Sequence, residues 1–207
     1  MKKKTIIMML GLAAGVVLLG GCKKQETLQS ETPQTETNEE QSESEEWDYE
    51  DKEYTFEEIV AMEDFSDLIV ELCWYITKKA DYGDALERLT EQEKVLFFCS
   101  QLEAEVYNGG FDQFFFNSSG DYCYETVEAL KTIGAESTLE MLERAMAVYS
   151  DPLAADCDER TEYMEENQTD EMYEKLCELD EEFYSCEEDR TELLYEYYMD
   201  NQENFHP

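Results

Sequence analysis

The chain has 207 residues, and its 53 Asp and Glu outnumber 15 Lys and Arg for a formal net charge of −38 at pH 7. Such a surplus keeps a chain soluble but opposes compaction, and it excludes nucleic acid as a direct ligand because phosphates are repelled. The 14 Tyr, 10 Phe and 2 Trp are too many for a chain that is an acidic disordered tail throughout.

Residues 1–21 read as a lipoprotein signal peptide. Met1–Lys4 is basic, Ile6–Leu19 is apolar with only Gly and Ala as interruptions, and Leu19-Gly20-Gly21-Cys22 forms a cleavage box of small residues before a cysteine. Cys22 is then the lipidated mature N-terminus, carrying palmitate or a similar chain. The rival reading is an uncleaved anchor, but Thr5–Gly21 sits at the short limit for a span. Lys23 and Lys24 also lie on the wrong side for the positive-inside rule. Both readings place the rest of a bacterial protein outside the cytoplasm. The lipidated form sits on the outer side of the cytoplasmic membrane, or in an outer membrane if one exists. Removing residues 1–21 takes away three lysines and no acid, which leaves 12 basic and 53 acidic residues and a net charge of −41. That charge disfavours docking on anionic headgroups, so membrane attachment falls to the lipid on Cys22.

Residues 22–54 are expected to be the lipidated cysteine followed by a disordered acidic linker. Lys23–Glu46 is mostly Gln, Glu, Ser and Thr, and random-coil scaling gives it a reach of roughly 27 Å. Trp47–Tyr54 stays acidic but gains aromatics.

Residues 55–207 hold 41 acids and 9 cations, a net −32, and are long enough for one compact core. The fold class expected is all-α, a single multi-helix domain. Phe65, Leu68, Ile69, Leu72 and Ile76 mark a helix over Phe65–Lys78. Thr90-Glu91-Gln92-Glu93 is a capping box opening a helix with the stripe Val95, Cys99, Leu102 and Val106. Asn108-Gly109-Gly110 is expected to stop it. Phe111–Phe116 is a short aromatic turn or helix, and Asn117-Ser118-Ser119-Gly120 a second break. Val127, Leu130 and Ile133 mark a helix ended at Gly134. Leu139, Leu142, Met146 and Tyr149 mark the next, ended by Asp151-Pro152. From Asp151 onward the chain is more acidic still, with 21 acids against 3 cations in residues 151–207. Helical order persists there: Met172, Leu176, Leu179 and Phe183 form one stripe, and Leu193, Leu194, Tyr197 and Tyr198 another.

Six cysteines remain after Cys22: Cys73, Cys99, Cys123, Cys157, Cys177 and Cys186. An even number in an exported chain admits 15 disulfide connectivities. Cys73 and Cys99 fit equally well as small core residues on helix faces, and both readings stand. There is no Cys-x-x-Cys, and the single histidine, His206, lies at a terminus expected to fray, so neither a metal site nor a cofactor is expected. Without a His or Lys placed as base, a Ser or Cys nucleophile lacks its partner. Glu103 and Glu105 cannot share a helix face, and Glu181-Glu182 and Glu187-Glu188-Asp189 read as solvated surface. The chain is read as non-enzymatic.

The segment of unusual texture is Asn108-Gly109-Gly110-Phe111-Asp112-Gln113-Phe114-Phe115-Phe116-Asn117-Ser118-Ser119-Gly120. One reading is a tight connection that tucks Phe into the core while Gln113 and Asn117 bond exposed backbone ends. The other is a recognition loop, with Asn108, Gly109, Gly110, Phe111, Gln113, Phe114, Asn117, Ser118 and Gly120 as binding residues. Together with Ala129-Leu130-x-x-Ile133-Gly134-Ala135 and Leu179-Asp180-x-x-Phe183-Tyr184, this segment resembles a bacterial domain family whose named member is an acidic DNA-mimic protein. The resemblance covers about Leu86 to Asn201. It implies an all-helical fold without known catalytic residues and, in the mimic, surface carboxylates presented in place of phosphates. The charge permits this: a 153-residue domain is roughly 40 Å across, and duplex DNA over that length carries roughly 23 charges. Export behind Cys22 would keep the domain from cytoplasmic factors. The function expected is therefore a membrane-anchored, non-catalytic module that binds a basic protein or peptide. An immunity-type inhibitor of a secreted basic toxin or nuclease and an envelope enzyme using paired carboxylates are the alternatives; oligomeric state is left open.

Overall fold

Helix starts in this chain are written into its caps. Thr55 and Thr90 each form a capping box with a glutamate three residues on, Glu58 and Glu93. Asp64, Asp156, Thr169 and Asp189 accept backbone N–H groups at four further helix starts, each such cap worth about 1 kcal/mol. The computed structural model describes residues 52–207. The signal segment 1–21, Cys22 and most of the linker lie outside the described residues. The compact unit is Tyr54–Pro207.

Among the described residues there are eight α-helices and no strand: α1 (Phe56–Val60), α2 (Phe65–Lys79), α3 (Glu91–Phe116), α4 (Cys123–Ile133), α5 (Glu136–Met146), α6 (Cys157–Asn167), α7 (Asp170–Ser185) and α8 (Arg190–Asp200). The all-α expectation holds. The long α3 runs through the middle and touches α2, α4, α6 and α7, while α8 packs on α2 and α5 on both α4 and α7. None of these helices is long and apolar enough to cross a membrane.

The periodic stripes point inward. Leu68, Ile69, Leu72 and Ile76 of α2, Leu102 and Val106 of α3, and Leu176, Leu179 and Phe183 of α7 are all buried. Val95, Met172, Leu193 and Tyr197 are only partly buried, and Phe65 is 38% exposed, with its ring against Tyr195 at 5.4 Å. On α5 the buried line is Thr138, Met141, Leu142 and Ala145, so the expected stripe is rotated. Gly134 ends α4 in the left-handed conformation, φ 76°, as its position predicts. Two helices carry no stripe that the sequence could show: α1, of five residues, and α6, whose buried residues are Arg160 and Met164.

The C-terminus does not fray. Phe205 is 4% exposed and meets Tyr198 edge-on at 5.1 Å. The His206 N–H donates to Glu93 Oε1 at 3.1 Å, Lys79 Nζ donates to His206 O at 2.7 Å, and Thr90 Oγ1 donates to Asn204 O at 2.9 Å. The chain end thus closes over the start of α3, where Lys79 and Glu93 already form an ion pair of 2.8 Å.

Candidate functional site

Gly109 and Gly110 bend α3 rather than ending it. The backbone leaves helical geometry at Gly109 (φ −162°, ψ 23°) and Gly110 (φ 79°, ψ −178°), then resumes it from Phe111 to Phe116. The break frees the Phe111 N–H, which donates to Asp180 Oδ1 of α7 at 2.8 Å. A Cβ at position 110 would lie 2.2 Å from Asp180 Oδ2, on a backbone of positive φ, so close approach and conformation both demand glycine. Burial pushes the Asp180 carboxyl up, against the pull of the Phe111 N–H.

The second limb of α3 belongs to the core. Phe111, Phe114 and Phe115 are fully buried, and Phe116 is 44% exposed. Phe111 meets Phe183 edge-on at 5.7 Å and Phe115 meets Tyr149 at 5.9 Å. Three polar members of the motif turn inward too. Gln113 Nε2 and Asn117 Nδ2 donate to Glu105 Oε2 at 2.6 and 2.9 Å, and Ser119 Oγ donates to Glu105 Oε1 at 2.8 Å. Residues eight apart on a straight helix are about 12 Å apart along its axis; the bend at Gly109–Gly110 brings Glu105 and Gln113 into contact. The expectation that Gln113 and Asn117 bond backbone ends is therefore corrected: their partner is a carboxylate of the first limb.

The backbone ends are served by Arg160 of α6, whose side chain is fully buried. Its Nε donates to Phe115 O, Nη2 to Asn117 O at 2.8 Å and Asp121 Oδ1 at 2.7 Å, and Nη1 to Ala154 O at 2.8 Å. A cation at the carbonyl end of α3 also opposes the negative pole of the helix. Gly120 makes the space, since a Cβ there would lie 2.8 Å from both Arg160 Nε and Phe114 O. Sequence reasoning passed over Arg160; its signal is that it stands as the one cation between Asp151 and Glu174. Of the remaining motif residues, Asn108, Gly109 and Ser118 are exposed.

A second buried cation, Arg190 of α8, donates to Glu103 Oε1 at 2.7 Å and the Tyr107 hydroxyl at 2.9 Å, and stacks over Phe183 at 4.1 Å. Glu103 and Glu105 thus diverge to different partners. The run Glu187-Glu188-Asp189 is not merely solvated surface. Glu188 accepts the Ser137 and Thr138 N–H groups at 2.8 and 3.0 Å, capping α5, and Asp189 caps α8. The six cysteines are free, so the core reading holds for Cys73 and Cys99. Burial raises the thiols of Cys73 to about 12 and of Cys123 to about 11. Among the described residues no group of three or more His, Cys, Asp or Glu is placed to hold a metal ion.

The motif thus builds a closed internal network, and the outward surface is left to carboxylates. α6 and α7 expose eleven of them: Asp158, Glu159, Glu162, Glu165, Glu166, Asp170, Glu171, Glu174, Glu178, Glu181 and Glu182. An all-helical domain with two arginines buried in its interior and most of its acids turned out is the class these features define. Residues 87–201 match the family described as DMP19-like protein, and the chain belongs to that family, a family of DNA-mimic proteins. No curated protein and no solved structure matches the chain.

Proposed function

We propose that the chain is a lipid-anchored extracytoplasmic protein whose acidic helical domain binds a basic protein or peptide without catalysis. The observation that carries this reading is the one-sided use of charge. Arg160 and Arg190 are buried in internal ion pairs, and Lys79 is mostly so. Lys175, the remaining cation of α6 and α7, is paired with Glu171. Apart from Glu171 and Glu182, which pair with Lys175 and Arg144, the exposed acids of these helices leave an excess of negative charge on their surface, which attracts cations and speeds their association. The motif side chains support a non-catalytic role, because Glu105, Gln113, Asn117 and Ser119 are bonded to one another. Anchoring rests on the Cys22 box, and being outside the cytoplasm restricts the partner to extracytoplasmic proteins.

Two measurements test the reading. Palmitate labelling should mark the wild type and miss Cys22→Ala; an unlabelled, cytoplasmic wild type would sink the anchor. A basic protein from the extracytoplasmic fraction should bind the wild type and be lost when the α6–α7 acids are changed to Gln. Binding that survives this neutralisation would reject the acidic face as the contact.

A further inference from the structure

The outward face of α7 is more than acidic. Tyr173, Cys177 and Tyr184 follow at i, i+4 and i+11 and so share one side of the helix, away from the buried Leu176, Leu179 and Phe183. Tyr107 of α3 stacks on Tyr184 at 5.7 Å with the rings 20° from parallel, and the Tyr184 hydroxyl donates to Val106 O at 2.8 Å. Tyr173, Tyr184 and Tyr107 are 52%, 43% and 40% exposed. Beside Tyr173 a shallow hollow of about 370 Å³ is lined by Tyr173, Cys177, Glu174, Glu178 and Glu181. Its lining combines an aromatic ring and a thiol with three carboxylates.

That combination suits an arginine better than a lysine. A guanidinium is planar and weakly hydrated, stacks on aromatic faces and bonds carboxylates through a fixed fork, whereas an ammonium is a compact, strongly hydrated charge. The domain already holds an arginine this way: Arg190 lies over Phe183 and 5.9 Å from the Tyr107 ring while bonded to Glu103, along the same contact between α3 and α7.

We propose that this face of α7 is the docking surface for an arginine-bearing segment of the basic partner. One arginine sits in the Tyr173–Cys177 hollow and a second on the Tyr184–Tyr107 pair. The inference rests on the basic-partner reading above. Tyr173 and Tyr184 are eleven residues apart, about 16 Å along a helix. An extended segment spans that distance in about five residues, so the two arginines are expected at that spacing.

The test uses two labelled synthetic peptides of equal length and charge, differing only in Arg or Lys at those two positions, with anisotropy read at physiological salt on the folded chain. The arginine peptide should bind more tightly by about two- to fivefold per seated residue. Tyr173→Ala, at an exposed position, should remove one such factor with the melting curve unchanged. Glu174→Gln/Glu178→Gln/Glu181→Gln should weaken the arginine peptide more than the equally neutralising Glu57→Gln/Glu196→Gln/Glu203→Gln. Equal affinities for the two peptides, indifferent to Tyr173→Ala, would overturn the arginine seat and leave the basic-partner reading standing. If neither peptide bound, both would fall.

Discussion

Single residues decide the geometry at the bend of α3. Gly110 combines positive φ with contact against Asp180, whereas Gly134 has positive φ and nothing within 4 Å of a Cβ. Gly134→Ala should therefore lose only the conformational term, about 1 kcal/mol. Gly110→Ala should cost clearly more, about 2–4 kcal/mol, because clash adds to strain. Urea midpoints of the two variants check this, and equal losses would refute the contact argument. Asp180 makes a second residue-scale prediction. Its folded pKa is raised, so the native state holds the proton more tightly than the unfolded chain, and stability falls as pH rises through that raised value. Asp180→Asn keeps an oxygen for the Phe111 N–H and has no charge to bury. Its stability relative to wild type should improve as pH rises from below about 4, and a worsening over that range would reverse the assignment.

At the scale of elements, α6 is held by what Arg160 does rather than by an apolar face. Arg160→Met should cost about 3–5 kcal/mol, since it strands Asp121 and the carbonyls of Phe115 and Asn117. Amide exchange should show the loss first in α6 and at the end of α3; protection lost evenly across the domain would argue against so local a role. The same contrast explains what was legible in the sequence. Helices with a stripe and a cap, such as α2, α4 and α7, could be read because burial follows period and caps are local. α6 could not, because its anchor is one arginine whose acceptors at Phe115, Asn117 and Asp121 lie some 40 residues earlier. The motif was legible as a compact turn that buries Phe, but its polar partners were not. Glu105 lies outside the segment, and only the bend at Gly109–Gly110 brings it within reach. Glu188 shows the same limit: a carboxylate in an acidic run gives no local sign that it caps a helix 50 residues away.

Across the whole molecule, 41 acids and nine cations in residues 55–207 place the folded domain under steady self-repulsion. Raising salt from 0.01 M to 1 M shortens the screening length from about 30 Å to about 3 Å. The melting temperature should rise by several degrees across that range, while the internal pairs of Arg160 and Arg190 are screened little. A melting temperature that falls with salt would mean that attractive surface pairs dominate. The closure of the chain end over α3 has a further consequence, for timing. Thr90 and Glu93 wait on Asn204 and His206, more than 110 residues later. A chain emerging N-terminus first from a ribosome thus has the start of its central helix unsealed until residues 204–206 are free. Residues 204–206 act as a clasp on the central helix, and a chain cut before Asn204 would be left open there.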